Sequence, residues 1–231
     1  MAMTGYEGVL FDFSGTLFRL EPDPQWFAGL VADDGRPLDD DAQRELLHRM
    51  TVPVGPPVPM EGEALRTWHA RDLSSADHRG AYLHILEHSG VADEGERERL
   101  YGEFSNPLNW TIYPDTEVVL RAARDAGLKV GVLSNIGYDI RPAFARAGIE
   151  DLVDEFVLSF EVGHAKPDLE VFRVASAALG LPPERVLMVG DSAEADGASQ
   201  EIGCGFAQVE PLPVDARPAG LLGAVRAAGV I

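Results

Sequence analysis

Four stretches of this 231-residue chain carry side chains able to do chemistry. The apolar run Gly8-Val9-Leu10-Phe11 stops on Asp12, with Ser14 and Gly15 close behind it. Ser134 and Asn135 end a second run that begins at Lys129, and Lys166 stands before Pro167. Gly190-Asp191-Ser192 ends a run that begins at Arg185, with Asp196 five residues after Asp191. Runs this short and apolar, with β-branched and aromatic members, suit strands buried on both faces. The carboxyl end of such a strand faces the ligand crevice of an open parallel sheet, so Asp12 occupies the place of a reactive carboxylate. Were these strands neighbours, their ends would bring two carboxylates, a hydroxyl and an ammonium into one crevice.

The elements needed to position them are legible in the C-terminal half. Lys129 to Leu133, Glu155 to Leu158, Arg185 to Val189 and Gly205 to Val209 read as strands. Amphipathic stretches near Thr116 to Ala126, Ile140 to Ala147, Leu169 to Leu179, Glu194 to Ile202 and Pro218 to Ala228 read as helices, with Gly127 as a helix stop. That alternation implies right-handed crossovers and a parallel α/β sheet covered on both faces. The region from about Phe18 to Pro114 breaks it, with helical patterns at Asp40 to Met50, Gly62 to Arg71, His78 to His88 and Gly95 to Phe104 and no convincing buried strand. The Pro-rich Thr51 to Pro59 reads as a loop, because proline removes donors and fixes φ. The expected organisation is a core of residues 1–17 and 114–231 with a helical insertion at 18–113, hinged near Leu17 to Pro24 and Asn106 to Pro114.

Composition narrows the function. A formal charge of −19 would repel nucleic acid and anionic membrane surfaces, so an anionic substrate would need a locally attractive site. The two lysines are Lys129 and Lys166 in a chain that otherwise uses arginine, which makes the placement of Lys166 informative. One cysteine, Cys204, the absence of a basic and apolar leader in MAMTGYE, and the lack of any membrane-length apolar run lead to the expectation of a soluble cytoplasmic protein. Oligomeric state is not written in the sequence.

Taken in order, DFSGT from Asp12, LSN ending at Asn135, Lys166-Pro167, and Gly190-Asp191-Ser192 with Asp196 resemble the four signatures of the haloacid dehalogenase superfamily, over essentially the whole chain. The resemblance implies a Rossmann-like core with a mobile, mainly α-helical cap inserted after the first motif. It implies Asp12 as the nucleophile of an aspartyl-phosphate mechanism, Lys166 as the cation offsetting repulsion, and Ser134 as a hydroxyl donor to the phosphoryl group. Gly15 and Asn135 would join the phosphate site. A Mg²⁺ ion would be held by Asp12, the Ser14 carbonyl, Asp191 and Asp196, since magnesium prefers oxygen ligands and keeps several waters. A small phosphorylated metabolite is the implied substrate.

Ser14 departs from that pattern, because phosphatases of this kind carry a second aspartate there as general acid and base. A serine carbonyl can still hold a metal, but its hydroxyl is a poor proton donor at neutral pH, and losing general acid–base catalysis costs ~10²–10⁴ in rate. One reading is a phosphatase whose leaving group needs little protonation, or one that recruits His164, His69 or His78. A second is a C–halogen hydrolase of the 2-haloacid type, whose halide needs no proton but which leaves Asp191 and Asp196 unexplained. A Schiff-base phosphonate hydrolase is excluded in its usual form because the insertion has no lysine. A non-enzymatic ligand-binding or interaction protein is the reading that Ser14 would mark. Separately, His84-Ile85-Leu86-Glu87-His88 matches the H-x-x-E-H pattern of a zinc peptidase. Arg66, Arg71 and Arg79 are further cations of the insertion.

Overall fold

The computed structural model describes residues 5–21, 23–31, 35–51 and 55–231. Five parallel strands form the main sheet: β1 (Gly8–Phe11), β4 (Lys129–Ser134), β5 (Glu155–Leu158), β6 (Val186–Gly190) and β7 (Gly205–Gln208), in the spatial order β5-β4-β1-β6-β7. Two three-residue strands, β2 (Phe18–Leu20) and β3 (Trp110–Ile112), make a separate antiparallel ribbon. In β1 the period-two alternation sends Val9 and Phe11 into one apolar cluster and Leu10 into another on the opposite face. Both faces are therefore dry, as the apolar runs require.

The helices α5 (Thr116–Asp125), α6 (Arg141–Ala147) and α9 (Gly220–Ala227) contribute Val119, Phe144 and Leu221 to the first cluster, and α8 (Leu169–Ala178) contributes Val171 and Phe172 to the second. Between β5 and α8 lies the single turn α7 (Ser159–Val162). The chain leaves β1, builds outward through β4 to β5, then returns to lay β6 on the other flank of β1. The order thus reverses at β1, and the ends of β4, β1 and β6 stand side by side at the place where open sheets bind ligands.

Four helices lie between the ribbon strands: α1 (Asp40–Thr51), α2 (Gly62–Ala70), α3 (Ser75–Glu87) and α4 (Glu94–Ser105). They enclose a separate apolar cluster that includes Trp26, Leu46, Trp68, Ile85, Leu100 and Phe104. Helix α3 begins three residues before the expected His78 because the Ser74 side chain accepts the Asp77 N–H as an N-cap. Thr51 closes α1 rather than opening the Pro-rich loop, residues 55–59 are non-helical, and residues 52–54 of that expectation fall outside the described residues, as do residues 1–4 of the leader reading.

One expectation is corrected, and the segments expected as hinges carry the ribbon, in which Phe18 pairs with Ile112 and Leu20 with Trp110. The expected helix at Glu194 to Ile202 is instead a short 3₁₀ segment, Gly197–Ile202, closed by Gly203 in the left-handed region. None of the described helices is long and apolar enough to cross a membrane.

Candidate active site

Lys166 organises the strand ends. Its side chain is 3% exposed, and Nζ donates to Asp12 Oδ1 at 2.7 Å, Asp196 Oδ1 at 2.6 Å and the Leu133 carbonyl at 3.1 Å. Its backbone is held by a reciprocal pair: the Lys166 N–H donates to Asn135 Oδ1, and Asn135 Nδ2 donates to the Lys166 carbonyl, both at 2.7 Å. The amide that follows β4 therefore fixes the lysine that reaches the ends of β1 and β6. Asp12 Oδ2 accepts the Thr16 hydroxyl at 3.2 Å, so both oxygens of the carboxylate are engaged.

Asp191 completes the group: carboxylate oxygens of Asp12, Asp191 and Asp196 lie within 4.8 Å of one another. The Ser192 N–H donates to Asp196 Oδ2 at 2.9 Å, which aims that carboxylate back at Lys166. Gly15 is needed on two counts, a φ of +76° and a close approach in which a Cβ would meet Asp191 Oδ2 at 2.6 Å. Ser134, the last residue of β4, is buried, whereas Ser14 is exposed.

The charges do not balance. Burial pushes the Asp12 carboxyl up to about 7, with Asp196 and Asp191 adding to the rise and Lys166 opposing it. Burial likewise pushes Asp191 up to about 6, with Asp196 adding to it. Lys166 is raised despite desolvation, because Asp12 and Asp196 favour its charged form. Three clustered carboxylates against one ammonium are an all-oxygen donor set with surplus negative charge, which fits a hard divalent cation.

Sequence reasoning missed the group that holds the Asp12 loop from behind. Arg217 is 3% exposed, lies 3.2 Å over the Tyr113 ring, and donates through Nη1 to the Gly15 carbonyl at 2.6 Å and through Nη2 to the Thr16 carbonyl. Nothing distinguishes this arginine from the chain's others by spacing.

The residues expected to lend a proton or a charge from the insertion separate clearly. His78 is buried, stacked on Tyr82 and bonded through Nδ1 to the Tyr101 hydroxyl at 3.0 Å; burial pushes it down to about 3, so it is neutral and serves packing. Arg66 pairs with Glu63 and Arg79 with Glu98. Arg71 lies over the Trp68 ring at 3.9 Å. A cavity of about 340 Å³ is lined by His69, Arg71 and Asp72 of the insertion together with Asn135, His164 and Lys166 of the core. His84, Glu87 and His88 do bring ligand atoms within 4.8 Å of one another, but Glu87 and His88 are exposed, so the peptidase pattern lies on a helix surface.

Comparison with known proteins bears on the family and the fold. The phosphoserine phosphatase of Thermus thermophilus is 33% identical over 135 residues, 58% of this chain and 52% of that protein. The chain spans about half the length of the curated relatives it matches first. Among solved structures, a dehalogenase superposes with a TM-score of 0.64 at 20% identity, over 88% of this chain and 84% of that one. An enzyme of Bacteroides thetaiotaomicron, in complex with magnesium and inorganic phosphate, superposes with a TM-score of 0.56 at 16% identity, over 90% and 96%. At these identities the two superpositions speak for the fold. The model of the haloacid dehalogenase-like hydrolases matches residues 6–199, and the chain belongs to that family.

Proposed function

We propose that this protein is a Mg²⁺-dependent phosphatase-type hydrolase that acts on a small phosphorylated metabolite through an aspartyl phosphate on Asp12. The observation that carries the reading is the buried contact of Asp12 Oδ1 with Lys166 Nζ at 2.7 Å beside two further carboxylates. A phosphatase-named relative supports the reaction class, and a magnesium- and phosphate-bound structural neighbour is consistent with the ion.

Asp12, Asp191 and Asp196 would hold the ion, with the Ser14 carbonyl as a further ligand. When bound it supplies positive charge at the phosphoryl oxygens and at the nucleophile. The chain's own residues do the rest. Lys166 keeps Asp12 in place and offsets its charge as the phosphoryl group nears, Ser134 offers a hydroxyl at the neighbouring strand end, and Asn135 fixes Lys166. An acyl phosphate forms at Asp12 and is then hydrolysed, so one hard displacement becomes two easier ones. Residues 18–113 would act as a cap over the catalytic core of 1–17 and 114–231, excluding water when closed. A soluble cytoplasmic enzyme fits the reading.

A metal-resolved screen of phosphorylated metabolites alongside 2-haloacids, with Asp12→Asn as control, tests it. Magnesium-dependent phosphate release that disappears in Asp12→Asn is the expected result. Halide release without magnesium would replace this reading with the dehalogenase one.

A further inference from the structure

The site has a nucleophile, a cation and a metal-ready carboxylate group, but Ser14 cannot move protons to and from the leaving oxygen. We propose that Asp72, presented by the turn between α2 and α3, performs that general acid–base step. The assignment rests on the phosphatase reading above.

The placement is specific. Asp72 and Lys166 line the same cavity of about 340 Å³, one from residues 18–113 and one from the loop after β5. The Asp72 backbone is tied to the catalytic strand ends: the Ser159 hydroxyl reaches the Asp72 carbonyl, and Ser159 Oγ accepts the Ile136 N–H at 2.9 Å. Ile136 follows Asn135, the residue that clamps Lys166. Thus the turn bearing Asp72 and the loop that holds the Lys166 backbone share one buried serine, which is 0% exposed.

The surroundings favour the neutral carboxyl. Burial raises the Asp72 carboxyl above the usual aspartate range, with Arg71 and Lys166 opposing. Arg71 Nη2 lies 3.6 Å from Asp72 Oδ2, Tyr82 of α3 and Tyr138 of the loop after β4 sense its charge, and His69, His164 and Asp168 share the cavity. Asp168 is the contrasting carboxyl: its own helix, through the Glu170 N–H, and His164 hold it below the usual range, so it stays ionised. Two carboxyls in one cavity with opposed shifts divide naturally into proton donor and bystander.

The step balances. An Asp12 oxygen bonds to phosphorus as the bond to the leaving oxygen breaks, and the Asp72 proton passes to that oxygen, releasing an alcohol and leaving Asp72 ionised. In the second half Asp72 takes a proton from water as the water oxygen bonds to phosphorus. The bond to Asp12 then breaks, which frees inorganic phosphate and restores both carboxyl groups.

The test compares kcat/KM, which reports steps up to aspartyl-phosphate formation, for p-nitrophenyl phosphate and an unactivated alkyl phosphate in wild type, Asp72→Asn and Asp72→Asn with Ser14→Asp. Asp72→Asn should lose ~10²-fold or more on the alkyl ester and less than about five-fold on the aryl ester, whose leaving group needs no proton. Ser14→Asp should then restore much of the alkyl activity. Equal losses on both esters, or no loss on the alkyl ester, would overturn the role of Asp72. Turnover that survives Asp12→Asn would instead overturn the phosphatase reading, and the assignment of Asp72 with it.

Discussion

At the scale of single residues, the site is a problem in charge. Lys166 is the counter-ion for two buried carboxylates, and removing one partner of a buried group leaves the others uncompensated, a loss of ~3–5 kcal/mol. Lys166→Met should therefore lower stability to urea by about that amount as well as abolish turnover, and adding Asp12→Asn should recover part of the stability without the activity. The surplus negative charge predicts a second effect that needs no substrate. Magnesium at 100 times its dissociation constant should stabilise the folded chain by ~2.7 kcal/mol, read as a rise in Tm. Asp191→Asn should remove most of that rise, and an unchanged response would take Asp191 out of the ion site. Asp12 and Asp191 were readable because each stands just past the end of an apolar run, and Lys166 because it is one of two lysines in the chain and stands before Pro167. Asp72 and Arg217 were not, since a charged residue in a helix turn or a C-terminal segment looks like any solvated side chain until burial is known.

Among elements, the main sheet was legible because its strands are continuous apolar runs separated by helices. The ribbon was not: Phe18–Leu20 and Trp110–Ile112 are too short for any period to register, and their partners are some ninety residues apart in sequence. Nor was the 3₁₀ segment, where Gly197 and Gly203 shorten what resembled a helix. Helix α3 meets the loop after β4 at Gly137, where a Cβ would lie 2.4 Å from the Cβ of His78. Gly137→Ala should cost ~1–3 kcal/mol by overpacking this contact and should speed proteolysis within residues 24–105. His78 itself predicts acid sensitivity. With the folded imidazole pushed down to about 3 by burial, the unfolded chain binds a proton below about pH 6.5 that the folded chain refuses. Its contribution is complete above that pH and fades as pH falls, by ~2 kcal/mol at pH 5. His78→Gln should flatten the difference in unfolding free energy between pH 7.5 and pH 5 by a similar amount, and an identical slope would refute the buried neutral form.

For the molecule as a whole, a charge of −19 surrounds a site proposed to take anions. Repulsion acts over roughly a Debye length, about 10 Å at 0.1 M salt, so added salt should screen it. For a phosphorylated substrate at saturating magnesium, kcat/KM should rise between low and moderate ionic strength, whereas a fall would mean that a local positive field outweighs the net charge. Among the described residues three apolar clusters form, two on the faces of the sheet and one within the four helices, so a boundary runs between the sheet and those helices.

The ribbon decides how that boundary can be engineered. Its two strands carry the outgoing and returning chain as a hydrogen-bonded strap, and the Gly15 N–H donates to the Phe18 carbonyl at 2.7 Å, which joins the strap to the loop beside Asp12. A graft that swaps the four helices for those of a relative has to keep both strands from one parent. Splicing inside either would unbuckle the tether and disturb the loop beside Asp12 from a distance.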